Sequence, residues 1–287
     1  MQVRVLSLTP INRVMEIVTI TCKEDIQLCV YQLKSMHKYL EPCTINVVIN
    51  EVEIKSLKQL IEQQRRKMYK HRIKIWSRSQ VLKTKLNFKD GWIIQQLLKL
   101  FMPLKDDYIV LDCKDIFLKE TKIKDILKLQ YKEQPHVYKC PTWGPFFNEV
   151  HTKLHRTYLK SDRSVSYAIN GIQTPRIIKK IVIKEILSNW KTKKEFLKWW
   201  SNLDCMPSEF VLYDYVAFCI GKRIHNNQRF KDEEIVGIWN MNMYDTNQEI
   251  DLNKVKKETR VLKLHKRVFN NSEASSFLKK WLDKRLK

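Results

Sequence analysis

Asp112, Lys114 and Asp115 close an apolar run, Tyr108 to Leu111, in the segment YIVLDCKD. Ligands of an open α/β sheet bind outside the carboxyl ends of its strands, so a strand that stops on two carboxylates and an ammonium suits phosphate or metal chemistry. Carboxylates can hold a hard divalent cation, and a lysine can meet a phosphate as a point charge. Just upstream, GWIIQQLLKL sets Gln95, Gln96 and Lys99 along one side of a short helix. Glu209, in PSEFVLY, falls in the first turn of another predicted helix, where the dipole favours its charge. A structural and a catalytic use of that carboxylate compete. His151 and His155 have the i, i+4 spacing of a metal pair, but no third ligand stands in register.

Alternating elements must position these residues. Met15 to Cys22 is β-branched and apolar and predicts a first strand in the sheet interior. Asp25 can cap the helix that follows, with Ile26, Val30, Leu33 and Met36 at helical spacing up to Glu41-Pro42. Thr44 to Ile49 is a second buried strand, and this β-α-β opening implies a parallel sheet. A basic helix from Lys55, a strand over Arg72–Trp76, a polar loop, the helix Ile93–Phe101 and the strand ending at Asp112 follow. Further on the pattern predicts a helix over Ile123–Leu129, a strand over His136–Cys140 and an aromatic loop at CPTWGPFF. Helices follow over Ile177–Trp190, over Glu195–Leu203 and from Met206, with Pro207 at the last one's first position. Trp199 and Trp200 read as packing residues. Strands over Ile235–Trp239 and Arg260–His265 precede a terminal helix capped by Asn271 or Ser272.

The chain has 287 residues, enough for a large core without staples. With only 5 glycines it holds no G-x-G-x-x-G or Walker-type loop, which excludes a glycine-rich phosphate cradle. Seven scattered cysteines without a C-x-x-C pair predict reduced, mostly buried thiols. The N-terminus lacks a signal-peptide core and no apolar run approaches a membrane span, so a cytoplasmic protein is expected. A net charge of +23 points to a polyanionic partner, against the plainer reading of a solvated lysine-rich surface. Lys55 to Lys89 carries twelve basic residues against Glu62 alone, and twelve more lie between Lys254 and the end against three acids.

VTITCKED, GWIIQQLLKL, LDCKDIFL, PSEFVLYDY and the late LHKR, spread in that order over about Val18 to Phe269, together resemble the GT-A type nucleotide-sugar glycosyltransferases. In particular they resemble a bacterial and phage branch with a G-W-x-x-Q-Q-x-x-K-L signature. The resemblance implies an α/β fold: a Rossmann-like, mixed but mainly parallel sheet flanked by helices, with a helical C-terminal portion. Residues 1–140 would form the nucleotide-sugar half and 141–287 the acceptor half of one continuous domain. It also implies a UDP-sugar as co-substrate and a divalent cation, Mn²⁺ or Mg²⁺, on its diphosphate. Carried over, Thr21 and Asp25 flank the nucleoside, and Gln95, Gln96 and Lys99 face the donor. Asp112 is the first Asp of the metal-binding D-x-D, and His265 is the late histidine on metal and phosphate. Glu209, by its place in PSEF, is the carboxylate near the acceptor hydroxyl or the anomeric carbon. Lys114 stands where the second Asp belongs. Either Asp115 restores a metal site, or the ammonium neutralises the departing diphosphate and no metal is needed.

The acceptor has to be argued from charge. Arg65, Arg66, Lys70, Arg72, Arg78 and Lys83, with Lys266 and Arg267, are the expected contacts to duplex phosphates. The first reading is therefore a phage-type enzyme, active in the host cytoplasm, that glycosylates a hydroxylated base such as hydroxymethylcytosine in double-stranded DNA, after extruding it. A lipopolysaccharide or capsule glycosyltransferase lying on anionic headgroups is the alternative from the same chemistry. A non-enzymatic nucleic-acid-binding protein is the alternative from another class.

Overall fold

A computed structural model of the chain describes residues 15–50, 55–84, 91–128, 144–158, 174–220, 235–238, 255, 257–264, 269 and 272–287. Its centre is a five-stranded sheet of β1 (Glu16–Thr21), β2 (Thr44–Ile49), β3 (Arg72–Ser77), β4 (Tyr108–Asp112) and β6 (Arg176–Ile178), in the order β3-β2-β1-β4-β6. β1 lies in the interior and pairs in parallel with β2 and β4, and β2 pairs in parallel with β3. These are the apolar, β-branched runs of the sequence, and burial on both faces explains why they read as nearly unbroken.

Parity along the strands divides the core. Ile17, Ile109 and Leu111 face a layer built on α1 (Ile26–Tyr39) and α2 (Lys55–Lys67). Val18, Ile20, Tyr108 and Val110 face the other layer, with α4 (Gly91–Leu100), α6 (Gly144–Tyr158), α7 (Lys180–Ser188), α8 (Lys193–Ser201) and α9 (Glu209–Cys219). Asp112 shares the parity of Tyr108 and Val110 and thus points to the side of α4 and α9. A smaller sheet, β5-β8-β7, joins β5 (Asp115–Phe117), β8 (Val261–Leu264) and β7 (Ile235–Ile238). The short helix α5 (Ile123–Lys128) follows β5, and the terminal helix α10 (Ser272–Leu286) packs on α1, where Tyr31 donates to Asp283 at 3.1 Å.

Several elements differ from the sequence expectation. Ile177 and Ile178 are strand, because they cover the free edge of β4 in antiparallel register, and the helix starts only at Lys180. The segment after β3 is not all loop. Ser77 and Gln80 form a capping box that starts the short helix α3 (Arg78–Leu82). Gly144 to Phe147 belong to α6 rather than an aromatic loop, and Phe146 is fully buried. Asp25 occupies the N-cap position of α1, but its side chain makes no capping bond. Ser208, not Pro207, immediately precedes α9, and its hydroxyl accepts from the Val211 N–H at 3.4 Å. The expected strand at His136–Cys140 lies outside the described residues.

Trp200 is fully buried and Trp199 packs beside it on Phe196 and Trp190, as packing residues should. Six described cysteines are free. Burial pushes the thiols of Cys29 and Cys43 up to about 12, which keeps them protonated. No helix among the described residues is long and apolar enough to cross a membrane.

Candidate active site

The last turn of α4, the end of β4 and the first turn of α9 meet at one ammonium. Lys99 Nζ lies 2.9 Å from Asp112 Oδ1 and 2.9 Å from Glu209 Oε1. The Phe210 ring lies 5.1 Å from the same nitrogen. Lys99 and Gln96 are three residues apart on one face of α4, so both reach Glu209. With its amide nitrogen turned toward Glu209, Gln96 donates to Oε1 at 2.9 Å while its oxygen accepts from Trp92 Nε1 at 3.2 Å.

Electrostatics follow from this packing. Burial works against the Lys99 ammonium, but the carboxylates of Asp112 and Glu209 outweigh it and hold its pKa above the ordinary lysine value. Burial likewise opposes ionisation of Asp112, yet Lys99, Lys114 and Lys263 keep its carboxyl well below the usual range. Both groups are therefore charged at neutral pH.

A second set of polar residues lies beneath. The Asp112 N–H donates to Asp115 Oδ2 at 3.0 Å, and the Thr174 hydroxyl donates to the same oxygen at 2.5 Å. Lys263, from the middle of β8, donates to Thr174 at 3.2 Å and stands 3.6 Å from Asp115 Oδ1. Burial raises the pKa of Asp115, with Lys263 pulling the other way. Gln32 of α1 donates to the Asp112 carbonyl at 2.5 Å and accepts from Thr19 at 2.8 Å. Arg176 on β6 shares the face of Ile178, where its guanidinium is bonded to Asp214 and lies 4.4 Å from the Phe210 ring. Burial pushes the Asp214 carboxyl up to about 6 against the pull of Arg176.

Of the expected site residues, the structure joins Gln96, Lys99, Asp112 and Glu209. Gln95 is half-buried on the same helix. Lys114 is half-buried in the turn between β4 and β5, close enough to act on Asp112. Thr21 ends β1 at the same carboxyl edge, where its hydroxyl donates to the Cys22 carbonyl at 3.4 Å. Asp25 follows it and accepts from Cys22 Sγ at 3.5 Å. Gln32, Thr174, Arg176, Asp214 and Lys263 are site residues that sequence reasoning missed. Arg176 and Lys263 did leave a trace, a charge inside an apolar run.

Among the described residues, the carboxylates expected to hold a divalent cation are already engaged. Asp112 is engaged by Lys99, Asp115 is bonded inward and Lys114 replaces the expected carboxylate. No group of three metal-ligating side chains occurs among the described residues. His265, Lys266 and Arg267 lie outside the described residues, as does the His155 side chain. His151 packs its ring edge-on against Tyr215, at 6.0 Å.

The basic residues of the first cluster part company. α2 runs back from the carboxyl edge, so Arg65, Arg66 and Lys70 arrive at the start of β3, where the Arg72 N–H donates to the Cys43 carbonyl at 3.1 Å. That is the amino edge of the sheet. Asp112 lies at the opposite edge, about 15–20 Å away for strands of this length. Among the described residues of the expected phosphate contacts, Arg78 and Lys83 follow the carboxyl end of β3.

No family model matches the chain, and no curated protein matches it. Among solved structures it is similar to the bifunctional glycosyltransferase WbbM in its apo form, at 11% identity and a TM-score of 0.51. That match covers 97% of this chain and 53% of WbbM, so the chain spans about half the length of that protein. The galactosyltransferase LgtC, solved with donor and acceptor sugar analogues, matches at 12% identity over 95% of both chains, with a TM-score of 0.46. GlyE from Streptococcus pneumoniae TIGR4, in its apo form, matches at 10% identity and a TM-score of 0.40, over 95% of this chain and 51% of that one. The likeness is one of fold: the mainly parallel sheet flanked by helices expected of a GT-A type chain.

Proposed function

We propose that this protein is a glycosyltransferase that moves a sugar from a nucleotide diphosphate sugar to a hydroxyl acceptor. One observation carries the reading. At the carboxyl edge of a GT-A-like sheet, Asp112 and Glu209 from different elements are held by a single buried lysine, in the segments that resemble the family. Displacement at an anomeric carbon needs positive charge for the departing diphosphate and a placed carboxylate near the reacting centre. Lys114, half-buried at the mouth of the strand, supplies the first in this reading. Glu209, fixed by Lys99 and Gln96, supplies the second. In this reading Thr21 and Asp25 flank the nucleoside, Gln95 faces the donor, UDP is the nucleotide, and the reaction takes place in the cytoplasm.

The acceptor follows from the charge distribution. A hydroxylated base in double-stranded DNA remains the acceptor that a charge of +23 favours, with Arg78 and Lys83 as its contacts on the site's side of the sheet. A lipopolysaccharide- or capsule-type acceptor is the second reading. It is favoured by the placement of Arg65, Arg66, Lys70 and Arg72 at the far edge, where they do not serve a duplex engaged at Asp112.

Incubation with a panel of nucleotide diphosphate sugars, scored by release of the nucleoside diphosphate, tests the donor. Duplex containing hydroxymethylcytosine and an anionic glycan, each scored by mass shift, test the acceptor. A shift on the nucleoside supports DNA, and a shift on the glycan alone transfers the assignment to the second reading. Turnover of no donor would remove the enzymatic reading.

A further inference from the structure

Four carboxylates converge beneath the carboxyl edge of the sheet, and each has a basic partner. Asp112 and Glu209 share Lys99, Asp115 meets Lys263, and Asp214 meets Arg176. Lys114 adds a fourth positive charge that acts on Asp112. Negative and positive charges among these residues therefore balance, four against four. A divalent cation entering this set would find no net negative charge, whereas hard cations are held by several uncommitted oxygens.

Lys99 has the surroundings of a bound ion. Its side chain is 5% exposed, it touches carboxylates from two different elements at equal distances, and an aromatic ring lies beside it. It is also anchored from behind, since the carbonyl of Lys99 accepts from the Tyr108 hydroxyl at 2.8 Å.

We infer that the Lys99 ammonium, standing between Asp112 and Glu209, is the resident cation of this site, and that the site takes no divalent cation. The consequence for turnover rests on the sugar-transfer reading: transfer proceeds in the presence of a chelator, with the leaving diphosphate met by lysine. The cation assignment itself concerns the protein without substrate, so the two can fail separately.

The test is a titration of the full chain with MnCl₂, following free Mn²⁺ by its EPR signal, for wild type, Asp112→Asn, Lys99→Ala and Lys99→Ala/Asp112→Asn. Wild type is expected to take up no stoichiometric Mn²⁺ at about millimolar metal, the weak end of protein cation sites. Lys99→Ala exposes two facing carboxylates and is expected to bind one equivalent at least ~10-fold more tightly. Adding Asp112→Asn abolishes that gain. Melting curves guard against a variant that folds poorly, because Mn²⁺ should raise the melting temperature of Lys99→Ala and leave that of wild type unchanged.

Stoichiometric binding by wild type that weakens in Asp112→Asn overturns the inference, including the case of a metal shared by Asp112 and His265. So does Lys99→Ala binding no more tightly than wild type. If the Mn²⁺ results hold while no nucleotide sugar is turned over, with or without EDTA, the sugar-transfer reading falls and the ammonium keeps its assignment.

Discussion

Replacing Lys99 by methionine keeps the length of the side chain and removes one charge from the centre of the site. Both partners are buried, Asp112 at 6% and Glu209 at 1% exposure, and neither can rotate to solvent without unpacking β4 or α9. Removing one member of a buried ion pair costs about 3–5 kcal/mol, because the remaining charge is left uncompensated. At about 2–4 °C per kcal/mol for a domain near this size, the melting temperature should fall by roughly 6–20 °C. The pH dependence separates this cause from a loss of packing. In wild type the folded pKa of Asp112 is depressed, so its stabilising contribution is present above the unfolded value and lost as pH falls. In the variant the burial of Asp112 is no longer offset by the Lys99 ammonium, so less stability is gained as pH rises above about 4. The gap between the two proteins, read from urea midpoints, should therefore widen between about pH 4 and 8. Lys99→Met/Glu209→Gln, which also removes a facing charge, should recover a large part of it. A gap below about 1 kcal/mol that does not change with pH would refute the reasoning.

Asp214 gives a test of opposite sign. Its folded pKa is raised to about 6, so wild type should lose stability relative to Asp214→Asn as pH rises from about 4 to 6, by up to about 3 kcal/mol, and no further above that. Gln32→Ala leaves the Asp112 carbonyl and the Thr19 hydroxyl without their partner, and urea unfolding should show a loss of about 1–3 kcal/mol. Reversing Arg65, Arg66, Lys70 and Arg72 to glutamate should leave release of nucleoside diphosphate from the donor within about twofold of wild type, since a rate change of that size corresponds to well under 1 kcal/mol and the residues lie at the far edge. If these four residues do hold DNA phosphates, the salt slope of duplex binding should instead fall by about one for each phosphate they release.

The central sheet was legible because burial on both faces forces long β-branched runs, and the end of β4 was legible because a charge interrupts one. Glu209 and Lys99 could be singled out, but their pairing could not: Lys99 read as a donor contact along one side of α4, whereas it is buried against Glu209 of α9. β6 was read as helix since three residues hold too short a pattern to show a period of two. Thr174, Lys263 and Gln32 act through partners far away in the chain, and no local pattern records such a partnership. The position of the basic cluster is a different case. In a parallel β-α-β unit, the last turn of the helix must lie at the amino edge of the next strand, so topology alone put Arg65 to Arg72 away from Asp112. That step needed only the parallel register, which the sequence had already suggested.

The contact of Lys263 with Thr174 joins residues eighty-nine positions apart, and Asp115 is buried between them. A chain emerging from the ribosome presents the five strands of the main sheet well before β8 arrives. Until then Asp115 faces the interior without its ammonium, and the floor under Asp112 is unfinished. Completion of the site should thus be a late event in biosynthesis, coupled to docking of the small sheet rather than to assembly of the large one. Release of the last strand would in turn weaken the site first, leaving most of the sheet in place.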